Sequence, residues 1–183
     1  MERALGGAMF VLLASAAHGP AAAPDVPPWL AVLDSIRMLP DPLDARAIGA
    51  IDHAPRFSVP RCVMAATIRP GRYSCWAGSG RAGAILQATL DYYSARADGP
   101  SSEGQLVLRI APAPCSTVGQ AERALGRSLR PTMPPTVYIP PGGAAPQPGG
   151  QYGVRLYGQD MQALMLSLQT DAKGCIVAAV LKR

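Results

Sequence analysis

Residues 164–181 read LMLSLQTDAKGCIVAAVL. Leu164, Leu166 and Leu168 alternate with Met165, Ser167 and Gln169, the two-residue period of a strand with one buried face. Asp171 to Gly174 supply turn chemistry, and Cys175, Val177, Ala179 and Leu181 alternate again beyond it, so the stretch predicts a β-hairpin. Upstream the same period recurs. Leu86, Ala88, Leu90 and Tyr92 are separated by Gln87, Thr89 and Asp91, and Leu106, Leu108 and Ile110 mark another strand. The polar stretch Ala95 to Gly104, which contains Gly99-Pro100, predicts a long hairpin with a mobile tip between them. Cys62 to Ile68 is almost wholly apolar, Pro70-Gly71 interrupts the run and Tyr73 to Ala77 resumes it, predicting two strands, the first covered on both faces. Tyr152 to Tyr157 predicts one more.

Helical spacing is confined to three places. Pro27-Pro28 opens a run in which Trp29, Val32, Leu33 and Ile36 recur until Pro40. Asp41-Pro42 starts a second, with Asp44 in its first turn and Leu43, Ala47, Ile48 and Ile51 as its buried stripe, weakened by Gly49. Val118, Ala121, Leu125 and Leu129 predict a helix from Val118 to Leu129, started by a Thr117–Gln120 capping box and closed by Pro131. Between Pro131 and Gly150 more than half the residues are Pro or Gly, which leaves room for only a short edge strand at Val137 to Ile139. Together these elements predict a single α+β domain: an antiparallel sheet of several hairpins, two or three short helices packed on it, and disulfides holding it.

The sequence predicts three regions: a secretory signal at residues 1–17, an N-terminal helical segment at 18–60, and an α+β core at 61–183 with its Pro/Gly-rich loop at 131–150. The signal reading rests on Arg3, the apolar run Leu5 to Ala14 and small residues around Ala17, a run too short to span a bilayer. No later segment has the apolar length of a membrane span. Cys62, Cys75, Cys115 and Cys175 show no C-x-x-C spacing, and His18 and His53 are the only imidazoles, so two structural disulfides in the periplasm or outside the cell are expected, with no metal or cofactor. Proximity pairs Cys62 with Cys75 and Cys115 with Cys175. A hairpin centred on Pro70-Gly71 would instead set Cys75 opposite Ala66, so the connectivity stays open.

The helix, the Pro/Gly loop and the terminal strands, residues 116–182, resemble as a pattern the small periplasmic helix-plus-meander modules of the outer-membrane assembly lipoprotein and β-lactamase-inhibitor type. A lipoprotein of that kind needs an anchoring Cys after its signal, and this sequence has none there.

Motifs for chemistry are weak. Gly78-Ser79-Gly80-Arg81-Ala82-Gly83 spells G-x-G-x-x-G, but a strand pattern follows where phosphate binding needs a helix. Nucleophilic catalysis would have to pair Ser79 with His53, and a two-carboxylate hydrolase would have to draw on Asp91, Glu103 or Glu122. Charge is more informative. Fifteen Arg and two Lys oppose twelve acids, for a net charge of +5, and Asn is absent, the mark of a GC-rich coding bias. From His53 to Leu90 there is no acid, while Arg56, Arg61, Arg69, Arg72 and Arg81 stand among Phe57, Tyr73 and Trp76. This segment, above all the five arginines with Tyr73 and Trp76, is the candidate surface for an anionic partner, because guanidinium forks match carboxylates and phosphates. Arg123, Arg127 and Arg130 form a second basic row on the predicted helix.

The expected function is that of a small exported binding protein, an inhibitor or envelope accessory factor, acting on an unidentified protein or anionic envelope component rather than nucleic acid. A hydrolase whose groups converge only in three dimensions and a structural protein without a specific ligand are the alternatives.

Overall fold

The computed structural model describes residues 26–65, 69–132 and 149–183. The predicted signal and the predicted strand at Val137 to Ile139 lie outside them. Three helices form where the spacing predicts. In α1 (Pro28–Arg37), Pro28 occupies the first turn, where its missing N–H costs no hydrogen bond, and Trp29, Leu30, Val32, Leu33 and Ile36 are buried. Five residues make α2 (Ala45–Gly49). Asp44 stands outside that helix as its cap, not in its first turn as predicted, accepting hydrogen bonds from the Arg46 and Ala47 N–H groups. The capping box opens α3 (Val118–Leu125). It ends four residues before the predicted Leu129 because Gly126 adopts φ +61° and the Gly126 and Arg127 N–H groups close on the Arg123 and Glu122 carbonyls. Leu129 is buried beyond the helix, its N–H held by the Glu122 carboxylate at 2.8 Å.

Eight strands, β1 (Arg61–Met64), β2 (Tyr73–Ser79), β3 (Ile85–Ser94), β4 (Ser101–Ile110), β5 (Arg130–Pro131), β6 (Gln151–Tyr157), β7 (Ala163–Thr170) and β8 (Ile176–Lys182), form one antiparallel sheet. Their order is β1-β2-β3-β4-β8-β7-β6-β5, so β8 joins two meanders by pairing Leu106 with Leu181. One face is apolar from edge to edge. Ala77, Leu90, Leu106, Leu181, Leu166 and Val154 stand in register across six strands, and all but the half-buried Val154 are buried. They share one buried cluster with the apolar residues of all three helices, which therefore pack on that face. This is the predicted disulfide-stabilised α+β architecture. Gly104 is required by the close pairing of β3 and β4, since a Cβ there would strike the backbone of Asp91 and Tyr92.

The strand readings are corrected in three places. Bulges at Leu86 and Val177 each insert an extra residue, so Ile85 and Ile176 face the core where Leu86 and Val177 were predicted to. The β3–β4 hairpin continues its ladder to Ser94 and Ser101, which shortens the predicted polar tip to residues 95–100. Finally β1 is an edge strand, not one covered on both faces: Val63 and Met64 are exposed by 53% and 62%.

Both disulfides follow sequence proximity. Ala65 N–H bonds the Arg72 carbonyl at 2.7 Å, so the β1–β2 connection is centred earlier than Pro70-Gly71 and Cys62 falls opposite Cys75, Cα to Cα 4.1 Å. Cys115–Cys175 clips the segment before α3 to the start of β8. The same joint is hydrogen-bonded from Ile176 N–H to the Ser116 carbonyl at 2.7 Å, and Trp29 Nε1 donates to Ser116 Oγ at 3.2 Å. Such cross-links fit a protein outside the reducing cytoplasm. Among the described residues no helix is long and apolar enough to cross a membrane.

Candidate functional site

Strand alternation that buries one face turns the other outward, and no described helix covers that outward face. Across it, Arg61, Trp76, Asp91, Gln105, Lys182, Met165 and Arg155 stand side by side on seven successive strands. Arg109 and Arg130 occupy the same face on β4 and β5, opposite Ala178 and Gly153. Arg61, Arg109, Arg130, Arg155 and Lys182 are exposed and have no hydrogen-bond or ion-pair partner among the described residues. One unpaired carboxylate, Asp91, stands among them. Trp76 and Met165, each 42% exposed, put apolar surface between the charges. A notch of about 500 Å³ opens beside Trp76, lined by Ser58, Val59, Pro60, Arg61 and Gly78.

The five arginines of the acid-free segment do not converge. Arg56 and Arg81 flank the Ser79 end of β2, while Arg69 and Arg72 lie beyond its Tyr73 end, a strand length of roughly 20 Å away. Arg69 is neutralised by Glu103 at 2.6 Å and lies 5.8 Å over the Tyr93 ring. Arg72 donates to Ser102 Oγ at 2.6 Å, and Arg81 Nε to the Gly83 carbonyl at 3.4 Å. Only Arg61 and Trp76, directly opposite each other, enter the outward row, and Tyr73 is half-buried at the far end of the strand. The basic row predicted on one helix is divided: Arg123 is helical, Arg127 lies 5.9 Å over the Tyr157 ring and Arg130 belongs to β5.

Sequence reasoning missed Arg109, Arg155 and Lys182, and it set Arg130 on a helix instead of a strand. Each of Arg109, Arg155 and Lys182 follows a core residue by one position, so alternation assigns it to the outward face. What brings them together is strand order, which no local pattern encodes.

The residues considered for catalysis are engaged or dispersed. Ser79 Oγ donates to the Gly80 carbonyl at 3.1 Å and accepts the Ala88 N–H at 3.1 Å. His53 is exposed in a turn at φ +61°, Glu103 pairs with Arg69 and Glu122 holds the Leu129 N–H. The glycine motif runs out of β2 into a turn and then β3, with no helix. Among the described residues no three His, Cys, Asp or Glu side chains gather as metal ligands.

On the helical side, Asp41 accepts hydrogen bonds from Leu43 N–H, from Ser101 N–H and from Ser101 Oγ, the last at 2.6 Å, and its Oδ1 is 3.4 Å from the Arg183 guanidinium. Tyr92 lines the adjoining cavity of about 510 Å³ with Asp41 and Asp44. Burial, and secondarily the charges of Asp44 and Asp41, push its phenol above the ordinary 10.0. A raised folded pKa means that the unfolded chain loses this proton first, so stability is full below pH 10 and falls as pH rises through the folded value. Urea titrations of the wild type and Tyr92→Phe should therefore diverge only above pH 10, with the wild type losing more stability.

Comparison with protein families, with curated proteins and with solved structures gave no significant match for the chain.

Proposed function

We propose that the protein is an exported binding protein, working in the periplasm or outside the cell, whose outward sheet face takes an acidic protein. The carrying observation is the row from Arg61 to Arg155, with its neighbours Arg109 and Arg130: five unpartnered basic side chains to one free carboxylate on a single face. Positive potential over such a face speeds encounter with a negative partner and aligns it. Trp76 and Met165 supply the aromatic and thioether contacts that protein interfaces favour over their charged surroundings. The disulfides and the signal-like residues 1–17 support export.

Retention on immobilised polyglutamate tests the reading. The triple variant R61Q/R155Q/K182Q is expected to bind roughly tenfold more weakly and with a flatter salt dependence, whereas R56Q/R81Q stays close to wild type. Equal retention of the triple variant and the wild type would sink the reading. Stronger binding to phosphatidylglycerol vesicles or to a polyuronate would replace the acidic protein by a lipid or a glycan.

A further inference from the structure

The sheet ends differently at its two edges. β5 is two residues long and one of them, Pro131, has no N–H, so β5 itself offers almost nothing to a pairing strand. β1 has four residues and no proline. Its backbone alternation follows from two observations. The Ala65 N–H bond to the Arg72 carbonyl sets the hydrogen-bonded positions, which recur at Val63–Ser74 and Arg61–Trp76. The 4.1 Å Cα separation of Cys62 and Cys75 marks theirs as a non-bonded pair. The N–H and C=O groups of Cys62 and Met64 therefore point away from β2, into the space beside the sheet. Besides Arg61, the exposed side chains along this edge are apolar, Val59 by 83% and Val63 and Met64 by more than half.

We infer that β1 is a pairing edge that takes an extended acidic segment of a partner protein as a ninth strand. This rests on the binding-protein reading above and specifies how the partner is held. Four backbone groups, on Cys62 and Met64, supply the ladder. Arg61, with no acid among the described residues paired to it, meets a carboxylate on the outward side of the added strand, and Met64, on the opposite side, meets its apolar side chains. The Cys62–Cys75 bond fixes β1 to β2, so the edge is preorganised and does not peel away on pairing. A second copy is the wrong occupant, because β1 carries Arg61 and no carboxylate with which a copy of itself could answer it.

The probe is an acetylated heptapeptide of alternating Glu and Val, added to the full disulfide-bonded chain and followed by amide hydrogen exchange. Exchange at Cys62 and Met64 is expected to slow at least tenfold at saturation, while Val63, already in the ladder, is unchanged. Met64→Pro removes an outward donor without touching the β1–β2 ladder and should weaken binding roughly tenfold, Met64→Ala less than twofold. Peptides N-methylated on alternate residues test the same point without altering the protein: one methylation register should bind and the other fail. Peptide binding that leaves Cys62 and Met64 exchange unchanged, or both methylated registers binding alike, would overturn the inference. So would protection of those two amides by phosphatidylglycerol vesicles alone, or by self-association of the protein without peptide. If the peptide fails while polyglutamate retention still depends on Arg155 and Lys182, strand pairing is wrong and the face reading stands; failure of both removes the two together.

Discussion

Replacing Cys115 and Cys175 together by alanine is expected to lower the unfolding free energy by about 4 kcal/mol, the chain-entropy value for a bridge spanning 60 residues. The corresponding value for Cys62–Cys75, which spans 13 residues, is about 3 kcal/mol. The longer bridge also has more to hold in the folded state. It joins the entry to α3 with the first residue before β8, at a point where the Ser116 carbonyl receives the Ile176 N–H and Thr117 pairs with Cys175. Urea unfolding followed by circular dichroism measures the difference, and a loss below about 1 kcal/mol would show that the other contacts hold this joint unaided.

Trp29→Ala is expected to cost about 3–5 kcal/mol, the range for truncating a large buried aromatic side chain. Trp29 is 1% exposed and sits at the start of α1, whose other end is tied by the Arg37 guanidinium to the Tyr157 carbonyl at 2.8 Å. Its truncation empties the layer between α1 and the sheet and leaves Ser116 Oγ without the indole donor. Trp29→Phe keeps most of the volume, loses the hydrogen bond and a smaller part of the packing, and should cost less, about 1–2 kcal/mol. Because Trp29 and the Cys115–Cys175 bridge meet at Ser116, their losses should not add. A double-mutant cycle is expected to give a coupling of at least about 0.5 kcal/mol, and strict additivity would mean that the helix and the bridge hold Ser116 independently.

Much of this arrangement was legible in the residues alone. Leu164, Leu166 and Leu168, and Leu106, Leu108 and Ile110, are all buried as their two-residue period requires. The α1 stripe and the Thr117–Gln120 box are equally local signals and formed as read. The misreadings also have local causes. A bulge shifts the period by one residue, and Leu86 and Val177 are each as apolar as the Ile85 and Ile176 before them, so the composition does not show which of the two faces the core. The apolar run from Cys62 looked like an interior strand because burial and exposure at an edge depend on neighbours supplied by distant sequence. The candidate site was half visible. Arg61 and Trp76 lay in the acid-free segment, while Arg155 and Lys182 joined them only because β8 separates β4 from β7. Arg69, prominent in the sequence, is cancelled by Glu103, thirty-four positions away and invisible as a neighbour before the hairpins are closed.

The placement of β8 has a consequence for synthesis. Until residue 182 has been made, β4 has no partner on its second side, and the meander that precedes it ends in an unsatisfied ladder flanked by bare Leu106 and Leu108. A growing chain can assemble hairpins one at a time, yet it cannot join the two groups of strands across the middle. For that interval the two groups of strands are held only within themselves, and closure of the central seam waits on the synthesis of β8.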